Sequence, residues 1–363
     1  MQYRTLGRTG IKVSPYALGA MMLGALGNPD RREGIRIIHR ALDAGINFVD
    51  TADRYGDSEE VVGEALKGRR DEVVLATKFW GAVDDDINHR GASRRWIMQA
   101  VERSLRNLQT DHIDLYQLHR PDPETDIDET LSALTDLVRQ GKVRAIGSSS
   151  MRGSEIVEAQ WMSERRGFER FRTEQPNYSI LDREIEREIL PVAQRYGMGT
   201  LVYSPLAGGT LTGRYRAGVE NDNFRSARTG MRHFRDERRL AAVEQLVALS
   251  DEAGVKLTHL AMAFVIAHPG VTSAIAGPRT MEQLEDTLAG VDVALSDDVL
   301  DRIDEIVPPG ESIGAMDMVY RGPEVGDGGL RRRALAERSA AGGDPDRVVV
   351  VEGQKAPTAP LLT

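Results

Sequence analysis

Short apolar runs alternate along this chain with longer segments in which apolar positions return every three or four residues. The runs Tyr16–Gly19, Asn47–Asp50, Val73–Lys78, Ile113–Leu118, Ala145–Ser148, Thr173–Gln175, Thr200–Tyr203 and Ser273–Ala276 predict buried strands. The segments between them predict helices over Asp30–Ala44, Glu59–Leu66, Ser93–Leu108, Ile127–Gln140, Ser154–Arg165, Glu184–Tyr196 and a longer region, Asp236–Ala267. Met281–Ala289 and Asp297–Ile306 follow the last strand. Ser93 is placed to cap its helix, and Gly45, Gly141 and Gly197 stand where helices stop. Ahead of all this, Tyr3–Leu6 and Lys12–Ser14 flank Gly7 to Gly10, a hairpin pattern. Strand–helix alternation repeated eight times predicts a (β/α)8 barrel over residues 1–310. A doubly wound open sheet suits the same alternation, but the count of eight and the even spacing favour the barrel.

Two stretches break the rhythm. Gly213–Asp236, polar and rich in Arg and Gly, is long enough to be a lid or binding loop. After Pro308-Pro309-Gly310 the composition shifts, and residues 311–363 read as a C-terminal extension. Within it Gly322–Asp346 resembles a linker or tail, Arg331–Arg333 a solvated patch, and Val348–Val351 an edge strand without a named partner.

At 40% hydrophobic and 28% charged residues, the composition is that of a soluble globular protein. A net charge of −9 argues against nucleic acid or an anionic membrane as the main partner. With no cysteine, thiol catalysis, disulfides and Cys-ligated metals are excluded. Residues 1–13 carry no apolar leader and no later run approaches membrane-spanning length, so a cytoplasmic protein is expected. Lysine is scarce: Lys12, Lys67, Lys78, Lys142, Lys256 and Lys355 are six of 47 cationic residues, which makes one inside an apolar strand conspicuous.

That lysine is Lys78. Three consecutive predicted strands end in ionisable residues of different types, Asp50, Lys78 and His119, with Tyr55 in the loop after the first. Barrels keep their chemistry at the carboxyl ends of their strands. Each residue also has a plainer reading: Asp50 as a turn former, Lys78 snorkelling to solvent, His119 as a satisfied turn histidine. The four together form a coherent proton-donating set. A free tyrosine titrates near 10, and an adjacent ammonium is expected to lower that value by about one to three units. Asp50 would hold Lys78, and His119 would donate to a carbonyl oxygen. General acid help of this kind contributes roughly 10² to 10⁴ in rate.

Phe48-Val-Asp50-Thr-Ala-Asp-Arg-Tyr55-Gly, Thr77-Lys78-Phe79, Tyr116-Gln-Leu-His119, Glu174-Gln175-Pro176-Asn177-Tyr178, Tyr203-Ser204-Pro205-Leu206-Ala-Gly208-Gly209 and Gly277-Pro-Arg279-Thr occur in this order. This pattern resembles the aldo-keto reductase family over about residues 2–307, most closely its bacterial, short-loop, channel-β-subunit-like branch. The resemblance implies a (β/α)8 barrel that passes hydride from NADPH to the carbonyl of a small molecule. By motif, Tyr55 is the general acid, Lys78 and Asp50 the pair that tunes it, and His119 the carbonyl-orienting residue. Ser149 and Gln175 would hold the nicotinamide carboxamide and Tyr203 would stack on the ring. Ser204, Leu206, Gly208, Leu211 and Arg214 fall along the pyrophosphate, Arg279 at the adenosine 2′-phosphate and Gln283 on the adenine side, with Gly277 also among the cofactor-binding residues. Met21, Met22, Arg54 and Trp80 are expected near the substrate, although Trp80 also suits a core cap.

The chain departs from the family pattern at Ser150 and Thr287, where asparagine is usual, and at Arg214, where lysine is common. No G-x-G-x-x-G follows a strand, so a Rossmann dinucleotide fold is not supported. The enzyme is expected to act as a monomer or homo-oligomer. Two rival functions remain open: a cofactor-binding regulatory subunit with little turnover, and a metal-dependent barrel hydrolase. The second lacks a ligand cluster, since His112 and His119 would face opposite ways.

Overall fold

A computed structural model of the chain describes residues 1–216, 232–314 and 320. Two strands open the chain as an antiparallel hairpin, β1 (Arg4–Thr5) and β2 (Lys12–Val13). The barrel strands follow as β3 (Tyr16–Gly19), β4 (Phe48–Asp50), β5 (Val74–Phe79), β6 (Ile113–Leu118), β7 (Val143–Ser149), β8 (Thr173–Gln175), β9 (Gly199–Val202) and β10 (Ser273–Ala276). Each pairs in parallel with the next, and β10 pairs with β3 through Ala274 opposite Tyr16 and Ile275 opposite Ala17. That last pairing closes the sheet and excludes the open, doubly wound alternative.

Strand alternation explains what fills the barrel. Ala17, Phe48, Ala76, Leu115, Ala145, Leu201 and Ile275 point inward as one apolar layer, and Leu6 and Val13 from the hairpin join the same cluster. The hairpin therefore plugs one end and leaves the other for polar groups. Outward-facing strand residues such as Tyr16, Leu18 and Val49 pack in the larger core under the helices.

The helices are amphipathic and capped as their sequences suggest. Asp30 accepts from the backbone of Arg32 and Glu33 at the start of α1 (Arg31–Asp43), which buries Ile37, Ile38 and Ala41. Helix α2 (Ser58–Ala65) lies against α3 (Arg94–Asn107), whose N-cap is Ser93, bonded to Trp96 N. On α4 (Ile127–Arg139), Leu131, Leu134 and Leu137 are buried while Val138 is only partly so. Helices α5 (Gly153–Arg166) and α6 (Ile189–Tyr196) complete the first six units.

Two expected helices are broken. The segment expected as Glu184–Tyr196 opens with a 3₁₀ turn, Glu184–Glu186, and becomes α-helical only from Ile189. Pro191 has no N–H to give, so it is tolerated only in the first turn. The long region Asp236–Ala267 divides into α7 (Glu237–Glu252) and α8 (Leu257–Ala267), because Gly254 turns left-handed (φ +65°) between them. The last two helices are α9 (Met281–Ala289) and α10 (Asp297–Ile306). Among the described residues, no helix is long and apolar enough to cross a membrane.

The chain divides into two compact units, Met1–Asp317 and Met318–Thr363. The expected linker Gly322–Asp346, the patch Arg331–Arg333 and the strand Val348–Val351 lie outside the described residues, as does most of the span Gly213–Asp236. Within the first unit the chain beyond Gly310 is anchored. Ile313 N bonds to Leu181 O at 2.9 Å, and Arg183 N to Glu311 O at 3.0 Å. Arg239, fully buried on α7, donates to both carboxylate oxygens of Asp182 at 2.9 Å each and to Ile313 O at 2.8 Å. Asp182→Ala leaves that guanidinium buried without its anion, and unfolding in urea should show a loss of about 3 to 5 kcal/mol; a loss under about 1 kcal/mol would show that the fork is not a structural anchor.

Candidate active site

Stepping two residues beyond each apolar position moves up the channel toward its open end. Above Phe48 comes Asp50, above Ala76 comes Lys78, and above Leu115 come Gln117 and then His119. The same step leads from Ala145 through Gly147 to Ser149, and from Thr173 to Gln175. Asp50, Lys78, Gln117 and Gln175 thus form a polar layer directly above an apolar one.

Lys78 does not snorkel. Its side chain is completely buried, and Nζ donates to Asp50 Oδ1 at 2.5 Å and to Thr51 O at 2.8 Å. The other carboxylate oxygen, Asp50 Oδ2, accepts from Gln175 Nε2 at 2.9 Å and from Gln117 Nε2 at 3.2 Å. Desolvating an ion pair costs several kcal/mol, offset only when the remaining lone pairs and protons are satisfied. Burial alone would lower the lysine's affinity for its proton. The charge of Asp50, its hydrogen bond and the neighbouring Tyr55 together more than offset that and raise it, so Lys78 stays charged.

The loop after β4 folds back over this pair. Asp53 N bonds to Lys78 O at 3.1 Å, Tyr55 N bonds to Ala52 O at 3.1 Å, and Gly56 adopts φ +60°. Lys78 Nζ lies 5.2 Å from the centroid of the Tyr55 ring. The Tyr55 hydroxyl is 3.3 Å from His119 Nε2, with the two rings edge to face. The net lowering of the Tyr55 pKa expected from the ammonium is reversed. Burial pushes the phenol above its ordinary value; Lys78 pulls it down, Asp50 pushes it back up, and Arg120 and Arg54 pull down less. His119 moves the other way: burial first, then Lys78, Arg120 and Arg54, hold it well below the ordinary histidine range. The pair at the mouth is therefore a protonated phenol beside a neutral imidazole.

The backbone is strained around this mouth. Trp80 (φ +131°), Ser150 (φ +60°), Ser204 (φ +56°) and Ala207 (φ +51°), just past β5, β7 and β9, are four of the five non-glycine residues with positive φ among the described residues. The Trp80 indole N–H is buried there without a partner among the described residues. His112 bonds to Asp111 at the start of β6, the opposite end from His119, so the two histidines share no site. Among the described residues no cluster of three or more His, Cys, Asp or Glu suits a metal ion.

The residues expected along a cofactor divide by what their side chains already do. Ser149 gives its hydroxyl proton to Gln175 O at 2.8 Å. Ser150, the departure next to it, accepts from Arg120 and lies 3.5 Å from the Tyr203 hydroxyl. Leu211 is fully buried in the core, so only its backbone can face a ligand, while Leu206 is half-buried. Gly208 and Gly209 hold φ +70° and +111° in the loop after β9, which includes Ser204, and expose backbone there. Arg214 is exposed and Arg279 half-buried, and neither guanidinium has an ion pair or hydrogen bond among the described residues. A Cβ on Gly277, just past β10, would meet only Gly19 O at 3.8 Å. Gln283 is committed to its helix, its Oε1 accepting from Arg279 N at 2.8 Å, and Thr287 donates back to Gln283 O at 2.9 Å. Met22 is half-buried in the turn after β3. Free cations with open glycines, at the ends of the adjacent strands β9 and β10, fit a phosphate-bearing dinucleotide.

The model of the aldo/keto reductase family matches residues 16–308. The chain belongs to the aldo/keto reductase family. It is similar to the uncharacterized oxidoreductase YrpG of Bacillus subtilis, 41% identical over 85% of this chain and 96% of that protein. The aldo-keto reductase YhdN of the same organism is 39% identical over 78% of this chain and 87% of its own. A probable voltage-gated potassium channel subunit beta of Arabidopsis thaliana is 34% identical over 85% and 97%. Family membership brings oxidoreductase chemistry at carbonyl groups and nicotinamide dinucleotides as the general cofactors.

In this aldo/keto reductase two site residues escaped sequence reasoning. Gln117 grips Asp50, and its signal was available: it lies two residues before His119 on an inward-facing strand. Asp53 is buried with neither carboxylate oxygen partnered among the described residues, and burial, then Glu59, push its pKa well above the carboxylate range. Nothing in the sequence marks a loop aspartate as buried. The electrostatics predict that the Tyr55 phenol, followed by ultraviolet difference titration of wild type against Tyr55→Phe, has its midpoint above 10. Lys78→Met should move it higher still, whereas a midpoint below the ordinary tyrosine value would mean that the ammonium, not desolvation, dominates.

Proposed function

We propose that the protein reduces an aldehyde, ketone or keto sugar to the alcohol with NADPH, Tyr55 supplying the proton. The observation that best supports this is the 3.3 Å approach of the Tyr55 hydroxyl and His119 Nε2 above a buried Lys78–Asp50 pair. A carbonyl oxygen between these two atoms is within hydrogen-bond reach of both. Bound NADPH supplies the hydride. As negative charge grows on the substrate oxygen, the Tyr55 proton moves to it, and the phenolate left behind is stabilised by Lys78. A raised phenol pKa keeps this donor loaded at neutral pH and is still far below that of an alkoxide's conjugate acid. Neutral His119 orients the oxygen without competing for the proton.

For the cofactor, Gln175 has spent its amide N–H on Asp50 and keeps its carbonyl for the nicotinamide carboxamide. Tyr203 offers a ring to the nicotinamide. Arg214 and the Gly208–Gly209 backbone suit the pyrophosphate, and Arg279 the 2′-phosphate, an assignment that favours NADPH over NADH. Relatives named as channel subunits motivate a second reading, a cofactor-binding subunit with little turnover. The complete proton-donating set favours catalysis instead.

Three measurements test the assignment. Tyr55→Phe should lower kcat on 4-nitrobenzaldehyde by about 10² or more with the fold retained; intact turnover would remove Tyr55 as donor. Arg279→Ala should raise KM for NADPH by about tenfold and leave KM for NADH nearly unchanged, the order one charged hydrogen bond supplies. The pH profile of reduction should lack a limb in the ordinary histidine range and fall only at strongly alkaline pH, above the ordinary tyrosine value. Reduction needs protonated Tyr55 and is lost only as pH rises through its raised value.

A further inference from the structure

In the Glu174–Tyr178 stretch Gln175 has a task in the polar layer, while its neighbour Glu174 has none so far. Successive strand residues face opposite ways. With Gln175 turned into the barrel toward Asp50, Glu174 is turned to the helix side of β8, where it is fully buried. No ammonium or guanidinium pairs with it among the described residues. Such a setting is costly for a carboxyl group unless hydrogen bonds hold it.

Those hydrogen bonds come from the end of β7 and the turn after it. Parallel register sets Ser148 beside Glu174 and Ser149 beside Gln175. Ser148 Oγ lies 2.5 Å from Glu174 Oε2, and Met151 N donates to Oε1 at 3.1 Å. Between these contacts Ser149 Oγ and Ser150 N both donate to Gln175 O, at 2.8 and 3.2 Å. Four consecutive residues are thus bound to two positions of β8. The hold matters because Ser150 adopts φ +60°, a left-handed backbone that a residue with a Cβ avoids. Gln175 O fixes that strained residue through its own N–H, and Glu174 fixes the peptide that follows it. The turn borders the mouth, since Ser150 Oγ lies 3.5 Å from the Tyr203 hydroxyl and accepts from Arg120, the residue after His119.

We propose that Glu174 is a positioning residue for the reduction, setting from behind the Ser149–Ser150 turn that receives the nicotinamide carboxamide. The inference rests on the NADPH reading above and adds the group that shapes the nicotinamide end of the site. Burial, helped by Glu155 and opposed by the hydrogen bonds from Ser148, Met151 and Ser150, pushes the Glu174 carboxyl up to about 8. At neutral pH it is mostly an uncharged acid. One oxygen then accepts from Met151 N, and the acid proton goes to Ser148 Oγ, whose own proton is free for Thr173 O at 3.3 Å. A glutamine side chain reproduces this pattern, with an acceptor for Met151 N and a donor for Ser148 Oγ, whereas methionine fills the volume with neither.

Calorimetric titration reads the two ends of the site separately and without turnover. One ligand is NADPH; the other is adenosine 2′,5′-bisphosphate, which keeps the adenosine end and lacks the nicotinamide. Glu174→Met should raise the Kd of NADPH by about tenfold, the order of one lost hydrogen bond, and move that of the bisphosphate by less than about twofold. Glu174→Gln should hold both within about twofold of wild type. Ser148→Ala, a smaller change should the methionine variant not fold, should weaken NADPH by about threefold and spare the bisphosphate. Unchanged NADPH binding in Glu174→Met, an equal loss of both ligands, or a glutamine variant as weak as the methionine one overturns the inference and leaves the reductase reading intact. A wild type that fails to bind NADPH removes the reductase reading, and the inference with it.

Discussion

A lysine ammonium completely removed from water has to be held by an anion, and in this protein that requirement organises the open end of the barrel. Asp50 supplies the charge from the neighbouring strand, Thr51 a carbonyl, and the second carboxylate oxygen is taken up by two glutamines from β6 and β8. Four strands, β4, β5, β6 and β8, are thereby tied through one carboxylate. The arrangement is costly to desolvate and stable only when complete. It is also what places a fixed positive charge 5.2 Å beneath the Tyr55 ring.

Above that pair, function depends on competition between burial and charge. Burial drives both Tyr55 and His119 to their neutral forms, one by raising its pKa and the other by lowering it. Lys78 works with burial at His119 and against it at Tyr55. The cation that helps burial keep the imidazole neutral is thus also the one available to a phenolate once a proton has left. Arg54 and Arg120 act in the same two directions, more weakly.

The fold was largely legible along the chain because a parallel barrel buries both faces of every strand, and eight short apolar runs separated by amphipathic helices leave few other solutions. Interior periodicity also carried Asp50, Lys78 and His119 to one mouth. Helix continuity was less legible: Gly254 and Pro191 lie inside patterns that periodicity alone reads as unbroken. The direction of the Tyr55 shift was out of reach. Proximity to Lys78 is readable from strand order, whereas desolvation depends on how completely the loop after β4 closes over the phenol.

What the sequence by itself determined is the barrel, the order of its polar tips and the family to which they belong, since strand alternation converts spacing directly into a facing direction. What only the tertiary structure decided is which groups remain free. Ser149, Thr287, Leu211 and Gln283 are taken up by hydrogen bonds or packing, whereas Arg54 and Arg279 keep guanidiniums without partners among the described residues. A hydrogen bond or ion pair is a property of two side chains brought together by folding, and no single position along the chain carries it.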